Sequence, residues 1–109
     1  MGLNFKNELI IVTESGLKIS SRIIEVLKRV EQTGSLNTAV KEMGLSYSYI
    51  WNTLYKINCQ FNTPLIETKR GGKGGGLASV TENGKKIIRQ YDSLKQNIDK
   101  ILQEHVIEI

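Results

Sequence analysis

The sequence is poor in the residues that build disulfides, metal sites and catalytic pairs. Its 109 residues include one cysteine, Cys59, and one histidine, His105. An internal disulfide or a zinc site with several Cys and His ligands is therefore impossible. Cys59 ends an apolar-patterned segment, where we expect a buried and unreactive thiol. Since paired carboxylates and a nucleophile–base pair are also missing, we expect no enzyme activity.

Long apolar runs are absent as well. The first apolar stretch, Leu9 to Val12, is far shorter than a membrane span or a signal peptide requires. We therefore expect a soluble, cytoplasmic protein without a membrane partner. The chain contains one proline, Pro64, which leaves long helices possible. Its length favours a single domain over residues 1–109.

Charge is unevenly distributed along the chain. The net charge is +4, but residues 64–90 carry six Lys/Arg against two acids, and residues 91–109 carry two Lys against four acids. A basic centre followed by an acidic end favours an anionic partner that is bound by one region only. An ordinary solvated surface is the alternative, and the small total does not exclude it.

The first two thirds of the chain predict short strands followed by three helices. Residues 1–19 alternate or are β-branched around a turn signal at Glu14–Gly16, which predicts N-terminal strands or a hairpin. Residues 20–62 hold three apolar stripes at helical spacing, with hydroxyl residues as N-caps at Ser20 or Ser21, Ser35 and Ser46. Gly44 supplies a left-handed turn after the second helix.

The rest of the chain predicts a hairpin and a long helix. Residues 63–81 read as two short strands around a glycine-rich tip at 71–76, and residues 82–109 read as a C-terminal helix capped by Thr81. The fold class is therefore mainly α with a small β component. Three helices followed by a basic hairpin describe a winged helix-turn-helix.

The third helix, residues 46–61, is the candidate recognition helix for the major groove of DNA. The short Gly44-Leu45 link places it across the second helix, as in helix-turn-helix proteins. Its stripe, which includes Tyr47 and Trp51, is expected to be core or near-core. The opposite face carries no acid and offers groups for bases and phosphates. These candidates are Ser46, Ser48, Tyr49, Asn52, Thr53 and Lys56. A solvated polar face is the alternative.

The glycine-rich hairpin is a candidate wing. Lys69, Arg70 and Lys73 surround its glycines, and a thin basic loop suits contact with phosphates or a minor groove. A nucleotide phosphate loop is the weaker alternative, because Lys73 is followed by Gly74 and by a strand-like segment rather than a helix. A plain flexible turn is the third possibility.

The C-terminal helix predicts a homodimer. Ile87, Tyr91, Leu94, Ile98 and Ile101 repeat at heptad spacing, and His105 takes the next position. A helix from Glu82 to His105 would be about 36 Å long at ~1.5 Å per residue, more than so small a domain covers. Two copies would place their recognition helices about 34 Å apart, one turn of DNA. The alternative is a helix that packs wholly on its own domain.

Two separate motifs resemble the DNA-binding domain of the ModE family, the molybdenum-responsive transcription regulators. Residues 33–51, TGSLNTAVKEMGLSYSYIW, match the family pattern TGS…AAK.MG.SY..AW, and residues 71–84 match GG.GGG…LT..G. Val40 and Ile50 stand where the family commonly has alanine. A more distant similarity to LysR-type DNA-binding domains covers the same helices.

The resemblance implies a winged helix-turn-helix that binds double-stranded DNA, with Ser46, Ser48, Tyr49, Asn52 and Lys56 on the recognition helix and Arg70 and Lys73 in the wing. Larger family members bind molybdate in a C-terminal domain. This chain, which ends at Ile109, is expected to lack that domain, so the resemblance implies no cofactor. The alternative function is a winged-helix adaptor that binds other proteins without specific DNA binding.

Overall fold

The protein combines helices with three short antiparallel sheets. A computed structural model describes residues 1–69 and 77–109. The helices are α1 (Ser21–Thr33), α2 (Leu36–Glu42), α3 (Tyr47–Asn58) and α4 (Glu82–Gln103). The strands are β1 (Gly2–Asn4), β2 (Ile11–Val12), β3 (Lys18–Ile19), β4 (Ile66–Lys69), β5 (Leu77–Val80) and β6 (Val106–Glu108).

Each helix begins at a hydroxyl residue, as the sequence predicts. The Oγ atoms of Ser20, Ser35 and Ser46 and the Oγ1 of Thr81 accept hydrogen bonds from the backbone N–H three residues on, at 3.1 to 3.4 Å. Each cap satisfies one of the N–H groups that a helix start leaves without a partner. Helix boundaries at these four points are therefore set by local chemistry.

The turn between α2 and α3 is a Schellman motif. Gly44 has a φ of +66°, a left-handed conformation that glycine adopts without strain. Its N–H donates to Lys41 O and that of Leu45 donates to Val40 O, both at 3.0 Å, the bond pair that defines this helix end. Leu45 packs against the core. This compact turn fixes the direction in which α3 leaves α2.

One apolar core joins all four helices and the wing. Its fully buried members include Ile19 of β3, Leu27 of α1, Val40 of α2, Ile50 of α3 and Leu65 before β4. Burial of such side chains contributes about 1.5–3 kcal/mol each. The core therefore holds the helix-turn-helix unit against the hairpins that flank it.

Three antiparallel pairs form the β component. β2 pairs with β3, β4 with β5, and β1 with β6. In the wing, Ile66 faces Val80 and Lys69 faces Leu77. The N–H of Ala78 donates to Gly34 O at 2.8 Å, which ties strand β5 to the end of α1. The two hairpins follow the sequence prediction, whereas the terminal pair does not.

Two predicted helix ends are wrong. Helix α3 ends at Asn58 rather than at 61. The Asn58 Oδ1 accepts a hydrogen bond from Leu65 N at 2.9 Å, and the chain turns there toward the wing. The last helix ends at Gln103 rather than continuing to 109. Val106–Glu108 instead pairs with Gly2–Asn4, in a pairing that local sequence does not signal.

The molecule is elongated along α4. Its Cα radius of gyration is 16.4 Å and its extents are 58 × 30 × 21 Å, whereas a compact chain of this length has a radius of about 13 Å. The terminal pair, here called the terminal ribbon (β1 and β6), lies at the end of α4 that is remote from the wing. No helix in the described ranges is both long and apolar enough to cross a membrane.

Candidate nucleic-acid interface

Helix α3 presents one face to the core and the opposite face to solvent. Ile50, Leu54 and Ile57 are buried, so the positions about half a turn away point outward. The structure places all the predicted recognition residues on or beside that outer face. Ser46, Ser48, Tyr49, Asn52 and Lys56 are exposed and Thr53 is half-buried.

The hydroxyl groups on α3 differ in how much of their hydrogen-bonding capacity is already used within the chain. Ser46 caps the helix by accepting from Tyr49 N, and its Oγ lies 3.3 Å from that of Ser48. Thr53 donates its hydroxyl proton to Tyr49 O at 2.8 Å. That hydroxyl retains acceptor capacity only, and a phosphate needs a donor. Thr53 therefore borders the face rather than contributing a free donor.

Three of the predicted DNA-contacting side chains of α3 have no partner among the described residues. The Tyr49 hydroxyl, the Asn52 amide and the Lys56 ammonium form no hydrogen bond or ion pair with another described residue. An Asn amide bonds an adenine edge through two hydrogen bonds, and Lys neutralises a phosphate. These residues give α3 the donors and acceptors that groove reading requires.

The expectation that Tyr47 and Trp51 are core or near-core is wrong. Trp51 is 41% exposed and Tyr47 is 45% exposed. Their rings stack with centroids 6.2 Å apart and an interplanar angle of 14°. The apolar stripe of α3 is wider than the surface that its own domain covers, and these two rings lie on the uncovered side.

Sequence reasoning missed Tyr55. It is 65% exposed and continues the row that Tyr47 and Trp51 begin, four residues further along. The spacing of 47, 51 and 55 was the available signal. A cavity of about 120 Å³ separates Trp51 and Tyr55 from Ile66 and Thr68 of β4. The wing therefore lies beside this aromatic side of α3.

The described base of the wing carries one of the three predicted basic residues. Lys69 is exposed at the end of β4. The other two, Arg70 and Lys73, lie outside the described residues, as does the predicted glycine-rich tip. Lys69 forms no ion pair with another described residue, so its charge is available to an anionic partner.

The predicted dimerisation stripe of α4 has a part that is buried in its own domain and a part that is exposed. Tyr91 is buried in its own domain, and its hydroxyl donates to Leu9 O at 3.1 Å; the prediction that it serves a dimer is therefore wrong. Ile87 packs partly against the same core. Beyond them, Leu94 and Ile101 are 50% and 59% exposed, and Ile98 is half-buried.

Cys59 and His105 also differ from expectation. Cys59 is exposed rather than buried, because it follows the last residue of α3 instead of lying inside the helix. His105 lies beyond the end of α4, so it does not extend the heptad stripe, and its Nδ1 lies 2.8 Å from Ile101 O. Within residues 1–69 and 77–109, no group of three or more His, Cys, Asp or Glu residues could hold a metal ion.

The chain is similar in sequence to bacterial molybdenum regulators. It is 33% identical to transcriptional regulator ModE of Haemophilus influenzae over 95% of this chain and 40% of that protein. It is 37% identical to the DNA-binding transcriptional dual regulator ModE of Escherichia coli over 69% of this chain and 29% of that protein. Molybdenum-pterin-binding protein MopB of Rhodobacter capsulatus is 29% identical over 85% of this chain and 34% of that protein.

The chain thus spans less than half the length of these relatives. No family model matches it. Among solved structures, a mutant of ZitR from Lactococcus lactis has a similar fold, with a TM-score of 0.59 and 19% identity over 91% of this chain and 68% of that one. That likeness agrees with the winged helix-turn-helix predicted from the sequence.

Proposed function

Because the chain belongs to the ModE family of regulators, we propose that it is a cytoplasmic regulator of transcription that binds double-stranded DNA in a sequence-specific manner. Its relatives are named as transcriptional regulators, one of them as DNA-binding. The proposal includes no catalytic step and no cofactor. It does include a homodimer, which the geometry of α4 supports.

The observation that carries the proposal is the outer face of α3. It is exposed, it bears no acidic residue, and it holds Tyr49, Asn52 and Lys56 without partners among the described residues. We propose that this face enters the major groove, where Asn52 bonds a base edge and Lys56 lies against a phosphate. An α-helix fits the major groove, which is about 12 Å wide.

The wing is proposed as the second contact with DNA. Lys69 is exposed at the end of β4, and the sequence places Arg70 and Lys73 directly after it. Cations on a hairpin beside the recognition helix neutralise backbone phosphates and release counterions. The wing would therefore add affinity that does not depend on sequence, while α3 supplies discrimination between sequences.

The dimer is proposed to form through the distal half of α4. Leu94, Ile98 and Ile101 continue the apolar stripe past the point where Tyr91 enters the core. The terminal ribbon follows the end of α4, and its exposed apolar side chains include Leu3 and Ile107. Asn4 of β1 lines a cavity with Lys95 and Leu102 of α4. An apolar surface of this kind on an elongated monomer is typical of a two-fold interface.

A protein-binding adaptor is the second candidate. The exposed row of Tyr47, Trp51 and Tyr55 favours it, since aromatic side chains are enriched at protein interfaces. The absence of acidic residues from the same helix favours the DNA-binding function. A helix face of this length that only contacts solvent or another protein usually carries at least one Asp or Glu. The two functions differ in a direct way: only the first predicts tight, salt-sensitive binding to DNA.

Selection of bound duplexes from a random pool, followed by fluorescence anisotropy, tests the proposal. We expect a palindromic consensus and an affinity that falls steeply between 50 and 200 mM salt, by about 10³–10⁵ for 6–10 phosphate contacts. Asn52→Ala should lower the preference for the consensus over random duplex by about 5- to 150-fold, the equivalent of ~1–3 kcal/mol.

Lys56→Gln is the matched control on the same face. It should weaken binding to consensus and random duplexes by the same factor, because a phosphate contact carries no base information. Absence of binding at 50 mM salt would refute the DNA-binding function and leave the adaptor. Equal losses on both duplexes for Asn52→Ala would refute its assignment as a base reader.

A further inference from the structure

Helix α3 lies between two hairpins. On one side, Trp51 and Tyr55 face strand β4 of the wing. On the other side, the Oγ of Ser15, in the turn between β2 and β3, donates to Gln60 Oε1 at 2.6 Å, just past the end of α3. The pair Tyr49 and Thr53 lies nearly opposite the pair Trp51 and Tyr55 on the helix circumference. The turn of this hairpin also shares a cavity with Tyr55 and Lys56 and so borders the C-terminal end of α3. Strand β3, through Lys18, borders the Tyr49 and Thr53 side, which is not the side that faces the wing.

An open cavity of about 450 Å³ lies on that second side. Lys18 of β3, Ser21 and Arg22 of α1, and Tyr49 and Thr53 of α3 line it. Three separate elements thus bring two cations together with the hydroxyl groups of Ser21 and Tyr49 at the edge of the proposed DNA-reading face. Glu8 is the one acid among the residues that line the cavity, so the charges of this wall sum to +1.

The two cations are free for an external anion. Lys18 and Arg22 are both exposed, and neither forms an ion pair with another described residue. Some other cations are paired, among them Lys28 with Asp92 at 2.7 Å and Arg29 with Glu25 at 3.2 Å. Unpaired charges at the rim of a concave site attract an anion, whereas paired charges contribute little to the field outside.

We propose that Lys18 and Arg22 form a second phosphate-binding site, which contacts the DNA backbone on the side of α3 opposite the wing. The inference rests on the proposed function and extends it. A helix in the major groove has a sugar–phosphate backbone along each side of it. The wing reaches one of these backbones and the Lys18–Arg22 site reaches the other. Since the contact is to phosphate, it adds affinity and orientation to all sequences alike.

The salt dependence of binding to a mixed-sequence 30-bp duplex tests the site. Each phosphate contact contributes about 0.9 to the slope of log K against log salt. The double variant Lys18→Gln with Arg22→Gln should therefore lower the slope by about 2 per bound chain and weaken binding tens of fold at 100 mM salt. Lys18→Gln alone should lower it by about 1. Exchanging the cations, Lys18→Arg with Arg22→Lys, should leave the slope unchanged.

The matched control is Lys6→Gln with Lys100→Gln. It removes the same charge from exposed side chains near the terminal ribbon and on α4, and the slope should change by less than about 0.5. An equal fall in the control would show a net-charge effect and overturn the site. An unchanged slope in the double variant Lys18→Gln with Arg22→Gln, with normal binding by the unmodified protein, would overturn the site and leave the proposed function standing. Failure of the unmodified protein to bind duplex at low salt would refute both.

Discussion

Gly84 is the point at which α4 meets the base of the wing, and Gly84→Ala should destabilise the fold. A Cβ at this position would lie 2.5 Å from the backbone oxygen of Leu65 and 2.5 Å from Val80 Cγ1. The same Leu65 oxygen accepts a hydrogen bond from Thr81 N at 3.0 Å, and the Thr81 hydroxyl donates to the adjacent Pro64 O at 2.5 Å. The added methyl group must therefore displace a carbonyl that is already bonded.

The expected loss of stability is the sum of two destabilising terms and one stabilising term. Overpacking against backbone costs about 3 kcal/mol, at the upper end of the usual range. Weakening the hydrogen bond from Thr81 N costs about 1 kcal/mol more. Alanine is a better helix former than glycine by about 1 kcal/mol, which offsets part of this. The free energy of unfolding should therefore fall by about 3 kcal/mol.

Urea unfolding followed by circular dichroism measures this loss. With a slope of about 1–3 kcal/mol/M for a small protein, the midpoint should fall by roughly 1–2 M at fixed protein concentration. Ser93→Ala, at an exposed position of the same helix, is the control for helix propensity and should leave the midpoint unchanged or raise it slightly. A Gly84→Ala protein as stable as the unmodified one would contradict the close approach on which the reasoning depends.

Two other features of the surface give further predictions. Ile101→Glu, on the exposed distal half of α4, should convert the proposed dimer to a monomer in analytical ultracentrifugation without loss of helical signal, because a carboxylate cannot be buried unpaired at an apolar interface. Glu104→Ala, just past that helix, is its control, and a persistent Ile101→Glu dimer would contradict the α4 interface. Exposed Cys59 should react with Ellman's reagent in the folded protein as fast as in urea, whereas strong protection would contradict its exposure.

Helix starts were predictable from sequence because capping is local. Ser20, Ser35, Ser46 and Thr81 each satisfy an N–H group only three residues away. No distant part of the chain is needed for that bond. The helix-turn-helix order and the outer face of α3 followed from these starts together with the helical period.

Burial at the margins of a helix was not predictable in the same way. Ile50 and Tyr47 both belong to the apolar stripe of α3, yet Ile50 is buried and Tyr47 is exposed. The difference depends on which neighbouring element covers each flank. Tyr91 shows the converse, since the heptad spacing assigned it to a partner while the segment around Leu9 covers it within the same chain.

The terminal ribbon was missed because its pairing is the most distant in the chain. Leu3 lies opposite Ile107 in strands of three residues each, too short for alternation to be read. Residues 104–109 contain no glycine or proline that would mark the end of the helix before them. Only the folded path of the whole chain brings the two ends to one place.

The same ribbon makes the chain nearly circular. Met1 N and Ile109 O are 3.0 Å apart, as are Ile109 N and Met1 O, so a linker of a few residues would close the backbone into a ring. A label or a fused protein joined to either end would leave from a single point. That point lies about one length of α4, roughly 33 Å at ~1.5 Å per residue, from the junction with the wing. Because the wing lies beside the Trp51 side of α3, an attachment at either end would be remote from that side of the helix as well.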